Sequence, residues 1–229
     1  MPAQRTRNPK RHARRGFTLV EAALATAVLG VGVLALIEAQ GAFIRTNLYS
    51  SQATSGALMA GEIRELTRNL PKHDPVTGLS LADVGGGATQ LIGWGPEGDE
   101  QNAEDIDDID DLDGMVFLFS GTPGMLDADL PGPIDGAGRI IPEIAADGTQ
   151  VFVAGNPKPI EGWVQRVSVE KVDPFDTSVA VQDDASIPPG GGNPGRAVDE
   201  YPLRVTVDVE HTEPGKATER IARLVWIVP

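Results

Sequence analysis

Residues Phe17 to Ile37 form an almost unbroken apolar run, FTLVEAALATAVLGVGVLALI, interrupted by a single charge at Glu21. At about 1.5 Å rise per residue, a helix of this length reaches about 30 Å, the hydrocarbon thickness of a bilayer. A helical rhythm continues beyond it. Ala42, Thr46, Tyr49, Ala53, Ala57, Ala60, Ile63, Leu66 and Leu70 recur every three to four residues, while Glu62, Arg64, Glu65 and Arg68 lie mainly off that stripe. Pro71 ends the pattern, so one helix is predicted over about residues 17–70. At roughly 80 Å it is too long to fold inside a small globule, and its first half is expected to protrude. Its second half is expected to lay the small-residue stripe on a sheet.

The pattern then changes. Residues 71–114 read as loop, punctuated by Pro71, Pro75, Gly85-Gly86-Gly87, Gly93, Gly95 and Pro96. Strands are predicted at 115–120, 150–154, 163–172, 203–210 and 221–228. In the third, Trp163, Gln165, Val167, Val169 and Lys171 share a face. In the fourth, Leu203, Val205, Val207 and Val209 alternate with Arg204, Thr206, Asp208 and Glu210. A turn at Glu213-Pro214-Gly215-Lys216 joins the last two, and 187–195 (IPPGGGNPG) reads as an exposed loop. The fold class predicted is α+β: a long N-terminal helix packed on an antiparallel sheet.

Charge refines the first segment. Arg5, Arg7, Lys10, Arg11, Arg14 and Arg15 make residues 1–16 basic with no acid, although the whole chain is −14. The leader therefore stays cytoplasmic and the remainder is placed outside by the positive-inside bias. The acidic body is repelled by nucleic acid, and no nucleic-acid partner is expected. A secretory signal cut near Ala23-Leu24-Ala25 would leave too short an apolar stretch, itself containing Glu21. A plain single-span anchor explains the length but not the carboxylate. A charge inside a membrane helix costs roughly 2.5–3.5 kcal/mol near the centre and less near an end, so Glu21 calls for a cation.

The stretch Arg14-Arg15-Gly16-Phe17-Thr18-Leu19-Val20-Glu21 resembles the class III signal of type IV pilins and type II secretion pseudopilins. The resemblance is tight over 14–37, looser to about 70, and architectural beyond. It implies that a prepilin peptidase cuts after Gly16, that Phe17 becomes the N-methylated terminus, and that Glu21 pairs with a neighbouring subunit's amine during assembly. It further implies a removed leader (1–16), a membrane and filament-core helix (17–37), an amphipathic continuation (38–70) and an outward sheet domain (71–229). The implied partners are the peptidase, other pilins, an inner-membrane assembly platform and the lipid bilayer. Glu38 stands where major pilins often have Pro, and no cysteine is present, so the resemblance is nearest to minor pilins or pseudopilins. A membrane-anchored adhesin that never polymerises is the alternative.

Candidate chemistry is sparse. Ten acids crowd Glu97–Asp113, with Asp107-Asp108-Ile109-Asp110-Asp111 at the centre. A solvated loop is the expected reading. The alternative is a calcium site from Asp108, Asp110, Asp111 and Asp113. The EF-hand register fails, since counting back from Gly114 puts Ile109 first and Ser120 twelfth. His12, His73 and His211 have no partner at ligand or triad spacing, and GxxxxGK[ST] is missing. Neither an enzyme nor any other cofactor is expected.

Overall fold

The computed structural model describes residues 17–97, 105–122 and 129–229. The chain divides into two compact units, Met1–Ser50 and Ser51–Pro229. The long helix α1 (Leu19–Thr67) contributes residues to both.

In the first unit the helix is apolar and bare. Leu24, Val28, Leu29, Val31, Leu34, Leu36 and Ile37 are all exposed. Its most apolar 18-residue window has a mean hydropathy of 2.2, long and greasy enough to cross a membrane, and none of it is buried. At about 25 cal/mol per Å² of apolar surface, such a stripe is costly to leave in water.

In the second unit α1 is amphipathic. Gly56, Met59, Ala60, Ile63 and Thr67 are buried on one face, with Leu66 and Leu70 packed against the same core. The expected stripe is therefore present from the middle fifties onward, but rotated slightly: Ala57 is exposed while Gly56 and Met59 face inward. The reason is packing distance. A Cβ at Gly56 would lie 2.9 Å from Cγ2 of Ile221, so only a residue without a side chain permits this approach to the last strand. The helix ends at Thr67, before Pro71.

The main sheet has five strands. They are β3 (Val116–Leu118), β4 (Leu130–Pro131), β7 (Trp163–Lys171), β8 (Leu203–His211) and β9 (Glu219–Val228), in the order β4-β3-β7-β8-β9. Three are long or central because their sequences alternate. Leu203, Val205, Val207 and Val209 are fully buried, and their intervening neighbours face outward. On that outer face charges pair across strands: Arg204 with Glu170 at 2.6 Å, Arg166 with Glu210 at 3.0 Å, and Arg223 with Asp208 at 2.5 Å. Trp163, Gln165, Val167, Val169 and Lys171 share the buried face of β7, as predicted. The turn before β9 is also where the sequence puts it, with Lys216 N–H donating to Glu213 O at 3.0 Å.

Three expectations are corrected. The region 71–114 is not all loop: β1 (Ser80–Gly85) and β2 (Ala88–Ile92) form a hairpin. Its two-residue turn, Gly86-Gly87, has φ of 69° and 81°, the positive values a tight type I′ connection requires. The sheet is mixed at its edge, because β4 runs parallel to β3. The strand expected at 150–154 shrinks to β5 (Phe152–Val153), which pairs only with β6 (Asn156–Pro157) apart from the main sheet. Its side chains are exposed, so no apolar face recruits it to the core.

One polar side chain ties the core together. Gln165 is fully buried; its amide donates to Met59 O at 2.8 Å and Ile134 O at 3.1 Å, and its Oε1 accepts from Ile134 N–H at 2.7 Å. Helix, strand and loop are thereby held by a single amide.

Candidate functional site

The N-terminal candidate lies where α1 begins. Gly16, the expected cleavage residue, falls outside the described residues. Phe17 is 82% exposed and precedes the first helical residue. Thr18 is the cap. Its N–H and Oγ1 donate to Glu21 Oε2 at 2.9 and 3.0 Å, and Glu21 N–H donates back to Thr18 Oγ1 at 3.2 Å. This reciprocal capping box satisfies amide groups that no helical carbonyl can reach. The signature was present in the sequence as Thr18-x-x-Glu21, and the charge argument passed over it. Glu21 thus has two demands on it: it closes the helix end through Oε2, and its charge sits beside the residue that becomes a terminus if the chain is cut after Gly16.

A second group of acids lies in the sheet-bearing unit, around a single 3₁₀ turn, Asp110–Leu112. Ile109 and Leu112 are buried in the core and hold this turn down, and Ile109 N–H donates to Pro71 O at 3.0 Å. The acids between them are dragged inward. Asp108, Asp110 and Asp111 have 0% exposure, which corrects the expectation of a solvated loop for this part of the run. Backbone amides meet some of the oxygens. Asp111 N–H donates to Asp108 Oδ1 at 3.1 Å, and the amides of Asp107 and Asp108 donate to Asp111 Oδ2 at 3.2 and 3.3 Å.

Asp110 faces a different way. Its Oδ2 lies 2.5 Å from His73 Nδ1, and its Oδ1 accepts from Gly95 N–H at 3.3 Å. Burial, aided by the charges of Lys72 and Lys171, holds His73 down to about 4, so its imidazole is neutral at pH 7. Burial raises Asp110 to about 7 against the pull of its hydrogen bonds and Lys171, with the Glu97 charge adding to the rise. With the imidazole neutral, the contact is a hydrogen bond between His73 and Asp110 rather than a full ion pair. Burial, then the adjoining Asp110 carboxyl, pushes Asp108 up to about 8.

Lys171 is the buried cation of this region. It has 0% exposure, its Nζ donates to the Asp183 carbonyl, and it lies 5.3 Å from the centre of the Trp94 ring. Burial lowers it to about 8, opposed by the charges of Asp183, Asp110 and Asp184. It therefore stays protonated at neutral pH.

The expected metal set is brought together only in part. One oxygen from each of Glu97, Asp108 and Asp111 lies within 4.8 Å of the others. Asp108 and Asp111 are as expected. Asp110 is turned to His73 and Gly95, and Asp113 is diverted to β7, where its Oδ1 accepts from Val169 N–H at 2.8 Å. Glu97 replaces them from a distance in sequence that spacing alone does not reveal. His73 was likewise missed, because its partner Asp110 is brought to it by the fold.

Comparison with known proteins gives one finding. Residues 11–37 match the prokaryotic N-terminal methylation motif. No curated protein and no solved structure gives a significant match to the chain. The matched segment contains Gly16, Phe17 and Glu21 and ends where the apolar run ends; the sheet-bearing unit lies outside it.

Proposed function

We propose, for a chain whose N-terminus is that of a type IV pilin- or pseudopilin-like prepilin, that it is a minor structural subunit of a membrane-rooted filament. The observation that carries this reading is the methylation motif over 11–37 running directly into an apolar helix with no buried side chain in its first unit. Such a helix is unsatisfied alone and is satisfied twice in succession: by lipid before assembly, and by copies of other subunits' helices in the filament core.

The steps follow from the residues. A prepilin peptidase cuts after Gly16, which offers no side chain to obstruct the scissile peptide. The new amine at Phe17 is methylated. It retains a positive charge and supplies the cation that Glu21 lacks along the apolar run. Before assembly Glu21 Oε2 is occupied by its own Thr18. In the filament its charge meets the amine of an adjacent subunit and sets axial register, because a carboxylate left among apolar helices would be heavily penalised. The chain is held in the inner membrane with its leader cytoplasmic and its sheet domain outside, and the sheet domain sets which neighbours it accepts.

Gly16→Leu, co-expressed with a prepilin peptidase, tests the processing step. The unsubstituted chain is expected to lose its basic leader and run faster on a gel, and the variant to keep it. Equal processing of both would remove Gly16 as the cleavage residue.

A further inference from the structure

The geometry points to a peptide-binding groove at Arg196 in the sheet-bearing unit, which takes an extended apolar segment of a partner protein carrying one acidic side chain. The groove holds about 720 Å³. It runs between the start of β1, the two arms of the 187–196 loop and the 3₁₀ turn Val198–Glu200. It lies outside the matched motif, and the filament reading is not needed for it.

The frame is built from the proline-rich loop. Ile187 N–H donates to Arg196 O at 2.8 Å, and Arg196 N–H donates to Ile187 O at 2.7 Å. Nearer the tip, Gly190 and Asn193 exchange bonds at 3.0 and 2.8 Å. The loop is therefore a closed hairpin, and Arg196 is pinned at its base. Pro188 and Pro194 bring rings to the groove, and Leu79 and Leu81 bring aliphatic side chains from the other side. An extended chain suits such a groove, because it turns alternate side chains toward one wall.

Arg196 supplies the polar contact. Its Cζ lies 5.4 Å from the centre of the Tyr201 ring and 5.7 Å from that of Phe175, within cation–π range of both. Ring contacts steady the charge but leave the five N–H donors of a guanidinium unmet. Among the described residues those donors make no hydrogen bond and no ion pair. That is out of keeping with a chain of 33 acids and 19 basic residues. On the outer face of the sheet Arg166, Arg204 and Arg223 all hold carboxylates. The acids next to Arg196 in sequence and around Phe175 are engaged elsewhere. Glu200 Oε2 accepts from Ala197 N–H at 2.9 Å, and Asp173 Oδ1 accepts from Phe175 N–H at 2.7 Å. The charge of Asp199 acts on Lys72. A planar fork of donors fits a carboxylate, so charge complementarity sets the acidic group of the occupant. Asp199 and Glu200 also line the groove and oppose a second one.

The test presents the full chain in detergent to an array of immobilised heptapeptides, each with its central residue fixed and its flanks drawn from valine, leucine and proline. Peptides centred on glutamate should retain at least about tenfold more protein than those centred on glutamine. Arg196→Gln should lose that preference. Arg196→Lys should keep only part of it, since an ammonium lacks the fork. Arg68→Gln removes an exposed charge from the helix end and should keep all of it. Millimolar benzoate should leave retention unchanged. Equal retention of glutamate and glutamine peptides by the unsubstituted chain would overturn the groove, and this comparison decides alone should Arg196→Gln fail to fold. An undiminished preference in Arg196→Gln, or an equal loss in Arg68→Gln, would overturn it by spreading the attraction over the surface. Displacement by benzoate would overturn the peptide as occupant in favour of a small carboxylate. None of these outcomes depends on whether the chain enters a filament.

Discussion

Glu21 and the acids of the 3₁₀ turn meet the same difficulty in opposite ways. Glu21 is exposed in the chain by itself, hydrogen-bonded to Thr18 at the head of an otherwise largely apolar stretch of helix. In the proposed filament its surroundings become water-free only when other molecules arrive, and the amines that answer its charge are the cut termini of this chain and of an adjacent subunit. Asp108, Asp110 and Asp111 are already buried in the chain's own core, and their partners are internal: His73, Gly95 N–H, the turn amides and the charge of Lys171. On the proposed reading the first region postpones its electrostatics to assembly, whereas the second resolves most of it on folding. Substitutions in the first should therefore change assembly and spare stability; in the second they should change stability.

The largest effect expected is at Glu21, and it separates its two tasks. Glu21→Gln keeps the capping box, which accepts either residue at that position, but removes the charge. Glu21→Ala removes both. If the charge sets register, both variants should enter the membrane normally and both should be lost from sheared filaments. Recovery of Glu21→Gln at parental levels would show that capping alone matters. Thermal melting of the sheet-bearing unit should be the same in all three.

Next is Lys171. Lys171→Met keeps the apolar stem and removes the charge from beside Asp110, Asp183 and Asp184. Stranding buried charge in this way costs about 3–5 kcal/mol, to be read from urea unfolding. A loss below about 1 kcal/mol would mean the acids do not depend on it. Gln165→Leu follows, with about 2–3 kcal/mol expected, since it leaves Met59 O and the Ile134 backbone groups without their buried partner.

The smallest effect is on the outer face of the sheet. Hydrogen bonding from Arg223 holds the Asp208 carboxyl below its ordinary value, with the Arg223 and Arg220 charges assisting against partial burial. The native chain thus binds fewer protons here than the unfolded one as acid is added. The stabilisation is present above the ordinary carboxylate value near 3.8 and is lost as pH falls through the lower native one. Asp208→Asn should be slightly less stable than the parent at pH 7, and urea midpoints of the two should converge below pH 4. A constant gap across that range would assign the difference to shape and not to charge.

These two regions were also unequally legible. The first is linear: Gly16, Phe17 and Glu21 are defined by order and spacing over a few residues, and the apolar run reports itself. The long strands are nearly as plain, because Leu203, Val205, Val207 and Val209 alternate without a break. The β1–β2 hairpin was hidden because its strands carry no buried alternation and its Gly86-Gly87 turn looks like any glycine-rich loop. The acid group was misjudged for a different reason. Composition shows ten acids and suggests water, yet Ile109 and Leu112 are threaded among them and are the residues the core claims. Glu97 joins Asp108 and Asp111, and His73 joins Asp110, only through the path the chain takes between α1 and β7. Nothing in local spacing encodes that path.

The account rests on the chain being cut so that a positive terminus is created beside Glu21. Intact-mass and N-terminal peptide mass spectrometry of the protein isolated from its native membrane tests this most directly. The predicted result is a mature chain that begins with methylated Phe17. A functional chain still carrying its arginine-rich leader, or starting at any other residue, would contradict it.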